Sequence, residues 1–344
     1  MRKLFFFAAL LATFASCTKN DLTPMNEGEK EITYLTAPLT KVTSYGTSNK
    51  FYSFAYLVTG AGSSWAANSG TAQTFIDHAL ISYSSNKWKA ATDYYWPKDA
   101  NSKLTFFAWG DATSAPDNTI GDCANTTGIT FTDYNITTVP NRDLMVAKIA
   151  ADQKANDDEY KFDGVTAGVP TLFYHILSSL DIRAQRTKDY AGTTFKIVSI
   201  KFNNVSVEGT YEQGIDASKS PTAGSWTEST PKEIKDVLEV YTPDTPTQVD
   251  GLVSSSSFTP LTPDGYSVFL PHDLTDTEIV TIVYTINNGL STETVTVNKS
   301  LDDIFGSWEA GKKYTLTITL SLEEILWDPA VENWDPSGSG SWTL

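Results

Sequence analysis

From residue 31 to the end, short apolar or alternating segments are separated by clusters of Gly, Pro, Asn, Asp and Ser, the punctuation of strands and turns. Residues 314–320 alternate with period two, and residues 195–202 and 205–207 nearly so, which predicts strands with one buried face. Residues 51–58 are apolar at both sets of alternate positions, as in a strand covered on both faces. Further strands are expected at 31–36, 79–83, 104–109, 129–139, 144–147 and 165–170. Residues 172–184 read as one long strand rather than a short helix, because Thr171, Phe173 and Tyr174 favour extended backbone. Within 280–297, Asn288-Gly289 suits a two-residue type I′ hairpin. Helix is expected only at 231–240, behind a start signal at Thr230, and residues 212–230 and 241–258 read as long loops. So many short strands and so little helix predict an all-β fold of sandwiches or barrels.

The polar, acidic stretch 151–164, centred on Asp157-Asp158-Glu159, marks the best boundary. It divides the body into an N-terminal β-sandwich at 31–164 and a C-terminal one at 165–344. Ahead of both, Arg2 and Lys3 precede an apolar run that ends at Phe14-Ala15-Ser16-Cys17. The run is shorter than the roughly 20 residues a spanning helix needs. A basic start, a short apolar stretch and small residues before the cut form a secretory signal, here residues 1–16. Cys17 stands where a bacterial lipobox places the cysteine that is diacylated, and residues 17–30 form a polar tether. The mature protein is therefore expected to be anchored to lipid through Cys17 rather than to span a membrane.

Composition narrows the chemistry. Among 344 residues, 25 are basic and 41 acidic, so the surface repels phosphate and no nucleic-acid partner is expected. Seventeen Phe, 16 Tyr and 9 Trp supply a large core. Two cysteines, Cys17 and Cys123, build no disulfide framework, and Cys123 is expected in the base of a loop. No catalytic residue, cofactor or metal site is predicted. His175 lies in an apolar strand and reads as a core histidine, while His272 follows Pro271 and reads as a loop cap. Adjacent acids such as Asp302-Asp303 mark solvated turns, and the 152–163 segment lacks the alternating ligands and central Gly of a calcium loop. Trp96, Trp109, Trp308 and Trp327 flank strands and are expected to plug the ends of the core. Trp65 and Trp226 sit in Ser/Gly/Ala-rich loops and are the candidates for exposed platforms that stack on sugars.

Several segments, in order, resemble the fimbrillin family of pilus and surface lipoproteins of Bacteroides-like bacteria. They are the lipobox-like Cys17; Tyr95-Trp96-Pro97 leading to residues 104–109; Asp143-Leu144-Met145-Val146-Ala147; the segment 169–178 with Phe173 and His175; Trp308-Glu309-Ala310-Gly311-Lys312-Lys313-Tyr314; and the closing segment 325–334. The resemblance implies two tandem transthyretin-like (Greek-key) β-sandwich domains, and it makes His175 part of a strand motif. It also implies a structural role in a type V-like pilus and in adhesion, at the outer membrane and cell surface. In such a pilus a protease removes the N-terminal strand and a neighbouring subunit fills the groove, so the expected partners are other pilin subunits, membrane lipid and a host or bacterial surface ligand. On this reading residues 31–36, with Ile32 and Tyr34, are the removable strand, and Ile325, Trp327, Val331 and Trp334 belong to the exchange or docking segment. The family's protease cuts after Arg, but no Arg lies between Arg2 and Arg142, which leaves Lys30 and Lys41 as the candidate cutting sites. Pro329, Pro336 and a Ser/Gly run fit a long donor strand poorly, which points equally to a tip, minor or anchor subunit. The alternative from the residues themselves is a glycan-binding surface lipoprotein that uses Trp65 and Trp226.

Overall fold

A computed structural model of the chain describes residues 30–36, 46–111, 113–155, 168–229, 234–261, 267–322 and 325–334. The signal segment, Cys17, the tether to residue 29, Lys41, Asp157-Asp158-Glu159 and the tail beyond Trp334, Pro336 included, lie outside the described residues.

The first strands are β1 (Tyr34–Leu35), β2 (Phe51–Val58), β3 (Gln73–Ser84), β4 (Lys87–Ala90), β5 (Lys103–Gly110), β6 (Asp122–Ala124), β7 (Gly128–Asn135), β8 (Met145–Ala147), β9 (Ala150–Gln153), β10 (Val169–Pro170) and β11 (Phe173–His175). Nine of them form one sheet in the order β10-β1-β4-β3-β2-β5-β8-β11, with β9 also paired to β5. Every residue of β2 is buried, as the double apolar pattern predicts. Phe51, Ala55 and Leu57 join Leu104, Phe106 and Ala108 in an inner core on one face. Tyr52, Phe54, Tyr56, Phe107 and Trp109 enter the larger core on the other.

The chain continues through β12 (Ser178–Arg186), β13 (Thr194–Ser206), β14 (Glu208–Glu212), β15 (Ser225–Glu228), β16 (Ile234–Tyr241), β17 (Thr247–Gln248), β18 (Thr259–Pro260), β19 (Ser267–Phe269), β20 (His272–Asp273), β21 (Ile279–Asn287), β22 (Thr292–Ser300), β23 (Ser307–Trp308), β24 (Lys312–Leu320) and β25 (Ile325–Asn333). One sheet runs β18-β12-β24-β25 with β19 on β12, and a second runs β16-β13-β21-β22 with β17 on β13. Ile182, Leu316 and Ile318 from the first and Ile197, Phe202 and Ile282 from the second belong to the larger core. β14 turns back to pair with β7, in a sheet ordered β15-β14-β7-β6, and Tyr211 of β14 and Phe131 of β7 belong to the same larger core.

Three expectations need correction. Residues 234–241, read as helix, are strand β16 paired to β13, with Leu238 opposite Phe202. Apolar spacing at Ile234, Val237 and Leu238 suits a helix, but pairing with a long neighbouring strand decides the outcome. The 280–297 hairpin is present, but its loop is residues 288–291, closed by Asn288 N–H to the Ser291 carbonyl, not a two-residue turn. The segment 172–184 is not one strand: it breaks at Ile176-Leu177 between β11 and β12. The described strands on either side of residues 156–167 share a sheet, since β10 and β11 pair with β1 and β8.

Gly128 opens β7 with φ of +70°, and a Cβ there would come within 2.2 Å of the Gly214 carbonyl oxygen. That approach carries the Gly214 N–H bond to the Thr127 carbonyl (2.9 Å), which ties the segment after β14 to β7. Gly128→Ala is expected to cost about 1–3 kcal/mol through left-handed strain and displaced backbone. A urea unfolding midpoint unchanged from wild type would contradict this.

Candidate functional site: the first strand and the C-terminal strand

Residues 30–36 lie inside the nine-stranded sheet, not along its rim. On one side the Ile32 N–H donates to the Tyr94 carbonyl (2.7 Å) and the Trp96 N–H to the Lys30 carbonyl (3.1 Å). On the other, Val169 N–H donates to the Thr33 carbonyl (2.7 Å) and Thr171 N–H to the Leu35 carbonyl (2.9 Å). β1 is antiparallel to β4, with Tyr34 opposite Trp88, and parallel to β10, with Tyr34 opposite Val169. Gly168 permits the close approach of β10, because a Cβ there would lie 2.9 Å from the Tyr34 carbonyl carbon.

Alternation then sets the two faces. Ile32 and Tyr34 point into the inner core at 2% and 5% exposure. The Tyr34 ring meets Phe51 at 5.7 Å and Phe106 at 6.0 Å, both edge-on, and burial pushes its hydroxyl pKa up. Glu31 on the outer face is held by Lys87 and by Lys89 (2.9 Å). Lys89 also bonds Asp93, and Asp93 first, then Glu31, raises the pKa of its ammonium. Ion pairs this open to water add little stability. Burial of Ile32 and Tyr34 contributes more, about 1.5–3 kcal/mol for each side chain.

Lys30 is exposed, donates to the Ala155 carbonyl and precedes the strand. A cut after it would leave residues 31–36 attached to the chain. Only a cut beyond Leu35, as at Lys41, severs β1 from β2.

At the other end, β25 pairs along its whole length with β24 and forms the edge of its sheet. Ile325 and Trp327 are half-buried, and Leu326 and Val331 are exposed at 47% and 60%. Pro329 is accepted within this edge strand, opposite Leu316. Trp334 closes the segment. Its N–H donates to the Gly311 carbonyl (2.7 Å), and its ring stacks on His175, centroids 4.0 Å apart and planes 9° from parallel. His175 Nδ1 in turn meets Asp143 Oδ1 at 2.6 Å. The end of β25 is thus latched onto the end of β11, beside the Ile176-Leu177 crossing. His175 is a core histidine, as expected from its strand. The His272 side chain is covered, between the Leu270 carbonyl (2.8 Å) and Glu278 (2.7 Å), and Glu278 in turn accepts from the Thr275 N–H (2.8 Å).

The tryptophans divide differently from the expectation. Trp96, Trp109 and Trp308 are buried and Trp327 is half-covered. Trp65, expected as an exposed platform, is 1% exposed. A one-turn helix, α1 (Trp65–Asn68), tucks it against Phe107, and its indole N–H donates to the Ile215 carbonyl (2.9 Å). Trp226 is half-buried, donates to the Ile176 carbonyl (2.7 Å), and borders an open cleft of about 720 Å³ with Glu228, Asp273 and Lys312. Lys87, Lys89 and Gly168 are the contributors that sequence reading missed; only their strand positions could have flagged them.

An interior N-terminal strand and a C-terminal edge strand latched at its far end are the features of this all-β fold that bear on its function. The chain belongs to the fimbrillin-like family, whose sequence model matches residues 40–334. In fold it is similar to a fimbrial protein from Bacteroides vulgatus, at 18% identity and a TM-score of 0.61, covering 89% of this chain and 99% of that one. It is also similar to a candidate cell adhesion protein from Bacteroides uniformis, at 17% identity and a TM-score of 0.52, covering 90% of this chain and 100% of that one. No curated protein matches it. Family membership supports a fimbrial role at the cell surface.

Tyr34→Ala is expected to cost about 3 kcal/mol, as for other large aromatic truncations in a core. It should also speed limited proteolysis between β1 and β2, whereas Glu31→Gln changes either little. Equal effects of the two variants would show that the ion pairs, not the buried ring, hold the strand. Cys123 sits in the short strand β6, and burial first, with Asp122 and Asp77 nearby, pushes its thiol pKa up. Its alkylation at pH 8 should therefore be slow in the native protein and fast in urea; comparable rates would refute that.

Proposed function

We propose that this chain is a fimbrial subunit built of two tandem β-sandwiches, exported as a lipoprotein through Cys17 and assembled by strand exchange after proteolysis releases its first strand. The observation that carries the reading is the position of β1. It is interior to its sheet, buries Ile32 and Tyr34, and reaches the rest of the protein only through the connection to β2. Its removal would bare two facing strand edges and an apolar trough, and such a surface demands another strand.

The partners on this reading are other subunits of the pilus, membrane lipid at Cys17 before processing, and a ligand on a host or bacterial surface. The glycan-binding alternative loses Trp65 to the core, and Trp226 alone, its indole N–H already committed, gives it no specific support.

The test is the intact mass and N-terminal sequence of the outer-membrane form. A lipid-free chain that begins after Lys41 and runs as heat-resistant ladders is the expected result. A chain that begins at diacylated Cys17, with no shorter species and no ladder, leaves an anchored monomer and removes polymerisation. A chain that begins after Lys30 would still hold β1 and should not form ladders. Cys17→Ser should abolish lipid labelling in every case.

A further inference from the structure

The cleft of about 720 Å³ beside Trp226 follows the free edge of a strand. β15 is the last strand of its sheet and is bonded only to β14. Successive strand residues point to opposite faces, so a cleft that touches Trp226, Thr227 and Glu228 alike runs along the edge of β15 rather than over one face. The register fixes what that edge presents. Ser229 N–H donates to the Glu208 carbonyl (3.3 Å), which makes these two a hydrogen-bonded pair. Such pairs alternate along an antiparallel ladder, so Trp226, opposite Tyr211, turns its own N–H and C=O away from β14. The rest of the wall comes from β20, β23 and the residues that follow β23.

The side chains give this edge a sign. Asp273 and Glu309 line the cleft, are exposed, and meet no cation among the described residues. Lys312, on the same wall, is engaged with Asn333 Oδ1 (2.9 Å), and the two ring nitrogens of His272 are taken by the Leu270 carbonyl and Glu278. The Trp226 indole N–H is spent on the Ile176 carbonyl, so what this residue offers a ligand is ring surface. Open carboxylates beside an indole ring suit a guanidinium or ammonium group. Trp308, also on the wall, is 2% exposed, and its indole N–H meets no acceptor among the described residues. A buried N–H without a partner calls for an acceptor, and a peptide carbonyl is one.

We propose that this cleft docks an extended, basic peptide segment of a partner protein. The segment adds a strand to the edge of β15 and pairs with the Trp226 backbone. It sets an Arg or Lys side chain over the Trp226 ring, with Asp273 and Glu309 as the counter-charges, and one of its carbonyls accepts from Trp308. An oligosaccharide brings no cation for these carboxylates and no ladder for the strand edge. The acidic excess of the chain, 41 acidic residues against 25 basic ones, favours the approach of such a segment. The cleft is complete in one chain, so the inference stands apart from strand exchange.

The test is the binding of a short peptide that alternates Arg with Thr, carrying a fluorescent label at its N-terminus and an amide at its C-terminus, to the full-length protein, read by anisotropy. Two companion peptides carry Glu in place of each Arg, or the Arg sequence with its backbone nitrogens methylated. The Arg peptide is expected to bind about tenfold or more tightly than either companion. Asp273→Lys with Glu309→Lys should weaken it by about tenfold or more while leaving the urea unfolding midpoint in place, because both side chains are exposed. The same charge change at exposed acids outside the cleft, Asp244→Lys with Glu293→Lys, should weaken it by less than about twofold. Equal losses in the two double variants would show general attraction to an acidic protein and overturn the proposal. Undiminished binding of the methylated peptide removes the strand edge from recognition and overturns it too. An Arg peptide that does not bind, or one displaced by neutral dextran oligosaccharides, overturns it as well.

Discussion

The structure depends on a constraint of backbone chemistry: each N–H and C=O inside a sheet must find a partner, and a strand in the interior must supply them on both sides. Residues 30–36 do this for the segment Tyr94–Trp96 and for the backbone of Thr33 to Leu35 facing β10. Because alternation ties side chains to backbone register, the same residues also cap the inner core, setting Ile32 and Tyr34 among Phe51, Trp88, Phe106 and Val169. Inner core and sheet closure are therefore not separable. Yet the segment that completes both lies at the extreme of the folded body, ahead of β2, so a single peptide-bond cleavage could divide it from everything it stabilises.

The C-terminal strand is held on different terms. β25 pairs only with β24, shows Leu326 and Val331 to water, and is secured at its far end by Trp334 stacked on His175. That latch joins the last described strand to β11 of the first sheet, next to the Ile176-Leu177 crossing, where Gly311 N–H also bonds the Leu177 carbonyl. The Asp143–His175 pair, which looks like part of a catalytic relay, orients the ring for this stack. The same three residues explain why a strand so lightly buried is nevertheless ordered.

How much of this was legible in the sequence follows from what each pattern measures. Period-two alternation found β24 and the double apolar pattern found β2, because both report burial that the strand carries in its own residues. The 3.6-like spacing at 234–241 misled, because an edge strand's partner, here Phe202 of β13, does not show in its local sequence. Trp65 was misjudged for a related reason: a Ser/Gly/Ala-rich loop reads as solvent-facing, while its one-turn helix drops the indole onto Phe107 from across the sheet. The pairing of β10 with β1 and of β14 with β7 joins segments far apart in sequence, which composition does not report. At the candidate site, Ile32 and Tyr34 were readable as strand residues, but the lysines that face Glu31 emerge only once β4 is placed beside β1.

The first and last described strands thus differ in the number of ladders that hold them, and on the proposed reading this difference would give strand exchange a direction. A strand in the interior leaves only by breaking two ladders and exposing two apolar side chains at once. An edge strand breaks one ladder, and only residues already half in water move. On that reading, transfer from edge to interior would gain pairing and burial, while the reverse would surrender both before regaining either. A subunit joined in this way would resist heat through its slow rate of opening as much as through its equilibrium stability. On the proposed reading, a covalent cut would be what makes the interior position available, since with β1 in place its neighbours are already satisfied on both sides.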